Sequence, residues 1–80
     1  MNISETGLLL AKIALLENRQ ATNETIIAWA EILERVELTH AMEALKKHYQ
    51  QSTESVKPAH IIRLAREVKE EEKKRIFEDD

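Results

Sequence analysis

Cysteine is absent from this chain of 80 residues, and glycine and proline occur once each. Without cysteine the chain forms neither a disulfide nor a zinc site built on thiolates, so an intracellular, cytoplasmic protein is expected. A single glycine also excludes the glycine-rich loops that cradle phosphates. A chain of this length forms at most one domain, and folding buries only about 60–65% of the surface that the unfolded chain exposes.

A strong excess of one charge is also lacking. The chain has 12 Lys and Arg residues against 15 Asp and Glu residues, a formal net charge of −3. This balance argues against a protein that coats nucleic acid non-specifically. The most apolar run, residues 8–16, is interrupted by Lys12, follows no basic segment and is too short to span a bilayer. We therefore expect neither a targeting segment nor a membrane partner.

The residues that are present favour helix. Charged residues make up 34% of the chain, and Ala, Leu, Glu and Lys are good helix formers. Apolar spacing and helix-start signals predict helices over residues 4–18, 24–35 and 40–51 and from Pro58 onward. Proline suits the first position of a helix because its missing N–H is not needed there. We predict an all-α fold, a compact four-helix single domain with the C-terminal helix projecting.

Apolar side chains that recur every three or four residues define the inner faces of these helices. Leu9, Ile13 and Leu16 form the inward stripe of the first helix, and Ile32 belongs to that of the second. The only Trp supplies a large share of such a small core. The residues expected to anchor the core are Trp29, Leu33, Leu45, His48, Tyr49, Pro58 and Ile61.

The composition changes at about residue 69, where the sequence continues as KEEEKKRIFEDD. Residues 1–68 are therefore predicted to form the helical domain, and residues 69–80 a charged helical extension or a flexible tail. Glu70 and Lys74 are an oppositely charged i,i+4 pair, which supports helix by a few tenths of a kcal/mol.

The polar residues do not indicate catalysis or metal binding. The carboxylates alternate with Lys and Arg on helix faces, a pattern typical of a solvated surface. His40, His48 and His60 are separated by eight and twelve residues, which fits no compact zinc pattern. For His48 we expect a hydrogen bond to a neighbouring backbone carbonyl. We predict a protein that is not an enzyme and has no catalytic residue, no metal ligand and no cofactor.

Two features favour a protein partner. Leu8 and Leu15 form a second apolar stripe on the first helix, beyond what one packing face needs. Ile76 and Phe77 are an aliphatic–aromatic pair within the charged C-terminal segment. Such a pair is typical of a short docking motif that becomes ordered on binding. The alternatives are a homodimer closed by the leucine stripe and a fraying helix end. The predicted partner-binding residues are Leu8, Leu15, Lys73, Lys74, Arg75, Ile76 and Phe77.

Direct binding to nucleic acid is a further alternative. Arg66, Lys69 and Lys73 share one stripe of the last helix, where they could contact phosphates. Glu67 and residues 70–72 interleave with this stripe and cancel much of its field. The alternative function is thus a small helical DNA-binding regulator that uses helices two to four.

The order of residues along the middle of the chain resembles the phage and prophage replicative-helicase loader/inhibitor family. Trp29 in a helix is followed four residues later by Leu33, then by an alanine- and leucine-bearing helix that ends near His48, a polar turn, and Pro58-x-x-Ile61. The positions that carry the resemblance are Glu24, Thr25, Trp29, Leu33, residues 37–48 with Ala41, Ala44 and Leu45, and Pro58, Ala59, His60 and Ile61.

The resemblance implies a helical protein with no activity of its own that binds a replicative helicase and an origin-binding initiator. In that family a flexible C-terminal segment is implicated in gripping the helicase. In this chain, residues 69–80 would form that segment, which is short for the family. The function that the sequence predicts is a non-enzymatic adaptor of phage or prophage DNA replication, a helicase loader or inhibitor.

Overall fold

The computed structural model describes the backbone of residues 1–78 and the side chains of residues 1–75. Over these residues the chain forms four α-helices and no strand, which confirms the predicted all-α single domain. The helices are α1 (Ile3–Glu17), α2 (Asn23–Ile32), α3 (Leu38–Gln51) and α4 (Pro58–Glu78). Pro58 opens the last helix, as predicted.

Asparagine residues cap both ends of helix α1. The Asn2 side chain accepts from the Glu5 N–H at 2.8 Å, and the Glu5 carboxylate accepts from the Asn2 N–H at 3.1 Å. This reciprocal capping box satisfies two N–H groups at once, so the helix begins just before the predicted start. At the other end Asn18 adopts a left-handed conformation with φ 52°, which asparagine tolerates better than most residues.

Helix α2 ends at Ile32, earlier than predicted, and carbonyl groups of the residues that follow it have a partner from the start of the chain. The amino group of Met1 donates to the carbonyl oxygens of Leu33, Glu34 and Val36 at 2.9, 3.0 and 2.7 Å. The Val36 N–H also donates to the Leu33 carbonyl at 3.0 Å, which tightens the turn. These bonds satisfy groups that a helix end leaves free, and α3 then starts at Leu38.

Buried side chains of α1, α3 and α4, together with Leu33 and Val56, form one core cluster. Helices α3 and α4 run antiparallel and share the most extensive contact, and α1 packs against both α2 and α3. Buried alanine side chains on both helices, those of Ala41, Ala44 and Ala65, let α3 and α4 approach closely. The buried apolar residues are Leu9, Leu10, Ile13, Leu33, Ala41, Ala44, Leu45, Val56, Ile61, Leu64, Ala65 and Val68.

The predicted core residues fall into three groups. Leu33, Leu45, His48 and Ile61 are buried. Trp29, Tyr49 and Pro58 are half-buried. The inward placement of Leu16 and Ile32 was wrong, because these side chains are 56% and 55% exposed. Leu16 lies at the edge of the stripe, and Ile32 ends a helix that contacts the core chiefly through its other side.

Helix α4 continues without interruption past Val68 to Glu78. The side chains of residues 69–75 are exposed. Two of them nevertheless reach α3, because Glu71 Oε1 lies 2.5 Å from Lys47 Nζ and Glu72 Oε2 lies 2.9 Å from His40 Nε2. Over residues 1–78, none of the helices has the length and apolar character needed to cross a bilayer.

Candidate functional site

The exposed apolar stripe of α1 is the first candidate interaction surface. Leu8 is 58% exposed and Leu15 is 85% exposed. The two residues lie two helical turns apart, on the side of α1 opposite to Leu9 and Ile13, which are buried in the core. A helix that is apolar on both sides is normally covered on both sides. In the described part of this chain only one side of α1 is covered.

Further apolar side chains are exposed where α1 and α2 lie side by side. Ile3 and Ile27 are exposed, and together with Met1 and Ala30 they line an open groove between the two helices. Helical spacing within either segment did not indicate this groove, because it depends on how the two helices pack together.

A second groove runs between α1 and α3. It encloses about 600 Å³ and is lined by Leu16, Met42 and Tyr49, with Lys12 at its edge. The flexible thioether of methionine adapts to differently shaped partners. Leu16, whose exposure the sequence did not predict, is one of the residues that line this groove.

The remaining predicted partner-binding residues lie on α4. Lys73, Lys74 and Arg75 are exposed, whereas the side chains of Ile76 and Phe77 lie outside the described residues. Helices α1 and α4 share no extensive contact over the described chain. The leucine stripe and the basic C-terminal residues are therefore two separate surfaces.

The most densely hydrogen-bonded of the described side chains is that of Glu17, which was not among the predicted site residues. Its carboxylate accepts from the Tyr49 hydroxyl at 2.5 Å, the Ser55 hydroxyl at 2.6 Å and the Val56 N–H at 2.9 Å. Arg19 Nε lies 3.2 Å from the same carboxylate. This arrangement ties the end of α1 to the end of α3 and to the loop before α4.

The pKa values of this cluster follow from burial and hydrogen bonding. Burial alone would raise the pKa of Glu17, but the bonds from Ser55, Tyr49 and Val56 and the charge of Arg19 together lower it. Burial and the neighbouring carboxylate raise the pKa of Tyr49 well above its ordinary value. Because donors occupy both oxygens of Glu17, the carboxylate is poorly placed to take a proton from a substrate.

The two histidines near the α3–α4 turn, His48 and His60, form hydrogen bonds with backbone groups. Nε2 of the buried His48 lies 2.7 Å from the carbonyl oxygen of Glu54, so this nitrogen carries the hydrogen, as expected for His48. Nδ1 of His60 accepts from the Lys57 N–H at 3.0 Å and so caps the start of α4. The two rings lie 4.5 Å apart. Among the described residues, no group of three His, Asp or Glu side chains could hold a metal ion.

Comparison with known proteins adds no relative, since no family model, no curated protein and no solved structure matches this chain. The resemblance to helicase-binding proteins stays a prediction from the residue pattern.

Proposed function

We propose that this protein is a non-enzymatic adaptor that binds another protein through the leucine stripe of α1. The observation that carries the proposal is the exposure of Leu8 and Leu15 on a helix whose opposite side already forms the core. Covering an exposed leucine contributes about 1.5–3 kcal/mol, so a partner helix or groove that covers both side chains gains substantial affinity. Single exposed apolar residues are ordinary on protein surfaces. Leu8 and Leu15, however, are aligned along one helix, and Ile3 and Ile27 are also exposed on α1 and α2. Several exposed apolar residues on neighbouring helices favour an interface.

The partner we propose is a replicative helicase, which the protein loads or inhibits during phage or prophage DNA replication, with an origin-binding initiator as a second partner. Support comes from the residue order that includes Trp29, Leu33 and Pro58-x-x-Ile61. The exposed Lys73, Lys74 and Arg75 on α4 would orient the protein and raise the association rate. The apolar stripe would supply most of the affinity.

Binding to purified hexameric replicative helicase tests this proposal. The double substitution Leu8→Gln with Leu15→Gln is expected to weaken the dissociation constant about 30-fold, since each glutamine loses about 1 kcal/mol of apolar burial. Ile32→Gln, which changes a similarly exposed residue on α2, is the matched control and should leave the affinity within about twofold. The measurement is biolayer interferometry with the helicase immobilised.

Two results would contradict the proposal. One is the absence of helicase binding by the unsubstituted protein under conditions in which a known loader binds. The other is a sedimentation velocity profile in which the protein is a dimer and the Leu8/Leu15 variant is a monomer, since the stripe would then close a homodimer.

The second candidate function is that of a DNA-binding regulator, favoured by Arg66, Lys69 and Lys73, which are all exposed on α4. If these side chains contact three phosphates, raising the salt from 50 to 200 mM should weaken binding to duplex DNA about 40-fold. In such a regulator α3 would contact the bases, but its Lys47 is already paired with Glu71. Fluorescence anisotropy with a labelled duplex measures the slope, and binding that does not depend on salt would exclude this function.

A further inference from the structure

A cleft of about 270 Å³ lies between the turn that follows α2, the beginning of α3 and one face of α4. Its apolar lining comes from side chains that are buried or half-buried, and its basic lining comes from side chains that are exposed. Four of the lining residues belong to α4 and lie on one face of it, because they are spaced by three or four positions along the helix: Ile62, Ala65, Arg66 and Lys69. The lining residues are Val36, Ile62 and Ala65, which are apolar, Arg35, Arg66 and Lys69, which are basic, and Glu37 and His40.

Among the described side chains, the three basic residues have no ion-pair partner. None of the ion pairs formed by the described side chains involves Arg35, Arg66 or Lys69. One carboxylate, that of Glu37, also lines the cleft, and it lies 3.6 Å from Nδ1 of His40. With three cations and one carboxylate, the lining carries a positive formal charge, which attracts an anion.

We propose that this cleft binds a short acidic segment of a partner protein, in which an aromatic or aliphatic side chain lies between carboxylates. The apolar side chain would occupy the space between Val36, Ile62 and Ala65, and the carboxylates would pair with the basic residues at its edge. Arginine suits this role because its guanidinium group binds a carboxylate through two parallel hydrogen bonds. The proposal rests on the proposed function only in that the segment belongs to a protein partner.

A nucleic acid backbone fits the cleft less well. Phosphates would satisfy the cations, but a phosphodiester chain offers no apolar group for Val36, Ile62 and Ala65. The exposed Glu67 and Glu70 flank the basic residues on α4 and would repel the next phosphates along a strand. A peptide that places its charges only at the cleft avoids Glu67 and Glu70, and the one carboxylate that lines the cleft, that of Glu37, lies beside His40.

The probe that tests the proposal is a fluorescein-labelled pentapeptide of sequence Asp-Glu-Phe-Asp-Glu, measured by fluorescence anisotropy. The double substitution Arg66→Gln with Lys69→Gln is expected to weaken its binding by at least about tenfold, because two charge-assisted hydrogen-bond donors are lost. Lys46→Gln with Lys57→Gln removes the same charge from exposed positions outside the cleft. This control variant should change the affinity by less than about twofold.

Three outcomes would overturn the proposal. The first is no binding of the peptide at millimolar concentration. The second is equal affinity for a peptide with Ser in place of Phe, because attraction would then be purely electrostatic. The third is tighter binding of a duplex oligonucleotide through the same two residues. An unchanged unfolding midpoint of the Arg66/Lys69 variant shows that a loss of binding is not a loss of fold.

The same variant separates this proposal from the proposed function. If helicase binds the unsubstituted protein and the Arg66/Lys69 variant equally well and the peptide binds neither, the inference from the cleft fails alone. If the peptide binds in the cleft but helicase does not bind at all, the cleft stands and the helicase is the wrong partner.

Discussion

Replacing Leu45 with alanine is expected to lower the free energy of unfolding by about 2–5 kcal/mol. The Leu45 side chain is 2% exposed, so the substitution removes buried methyl groups and leaves a cavity between helices that relax only in part. An 80-residue domain has a total stability of about 4–12 kcal/mol. The loss is therefore a large fraction of the total, and it should lower the unfolding midpoint by about 10–30 °C.

The matched control is Leu15→Ala, which makes the same chemical change at a residue that is 85% exposed. We expect its free energy of unfolding to stay within about 0.5 kcal/mol of the unsubstituted value, because no cavity forms and alanine is a good helix former. Urea unfolding followed by circular dichroism measures both variants. Equal losses at the two positions would show that α1 does not present this side to solvent.

The helices themselves could largely be predicted from the sequence, because helix signals are local. Pro58 and the apolar spacing before and after it place α4 correctly. The end of α2 could not be predicted, since the carbonyl groups of Leu33 and Val36 bond to the amino group of Met1, far away along the chain. The spacing of three and four shows that Leu16 and Ile32 lie near an apolar stripe, but it does not show how wide a stripe the neighbouring helices cover.

The candidate surfaces were predictable to a lesser degree. The stripe of Leu8 and Leu15 could be found because both residues lie on one helix. The cleft could not, because Arg35 comes from the end of α2 and Arg66 from α4, and only the packing of the helices brings them together. Surfaces built from several helices carry no periodic signal in any one of them.

The position of Glu17 in its helix is a sequence signal that could have indicated the hydrogen-bonded cluster. A glutamate in the last turn of a helix lies near the negative end of the helix dipole, where a cation is preferred. Such a local conflict indicates a compensating tertiary contact. Here the compensation comes from Tyr49, Ser55 and Val56.

Removing this carboxylate should therefore have a second large effect. Glu17→Ala is expected to lower the free energy of unfolding at pH 7 by about 2–4 kcal/mol, because it leaves the Tyr49 hydroxyl and the Val56 N–H without an acceptor. Glu17→Gln retains one acceptor oxygen but loses the charge, so it should cost about half as much. Glu31→Ala, at an exposed position on α2, is the control and should change stability by less than about 0.5 kcal/mol.

The pH dependence distinguishes a stabilising carboxylate from a merely well-packed side chain. The pKa of Glu17 is lowered in the folded protein because the hydrogen bonds and Arg19 outweigh the effect of burial. The resulting stabilisation is fully present above the unfolded-state pKa of about 4.3 and is lost as the pH falls through the lower folded-state pKa. The difference in stability between the unsubstituted protein and Glu17→Gln should thus be largest near neutral pH and shrink below about pH 4. A difference that stays constant from pH 7 to pH 3 would mean that Glu17 acts through packing, and the ionised cluster would then not be what joins α1 to the loop before α4.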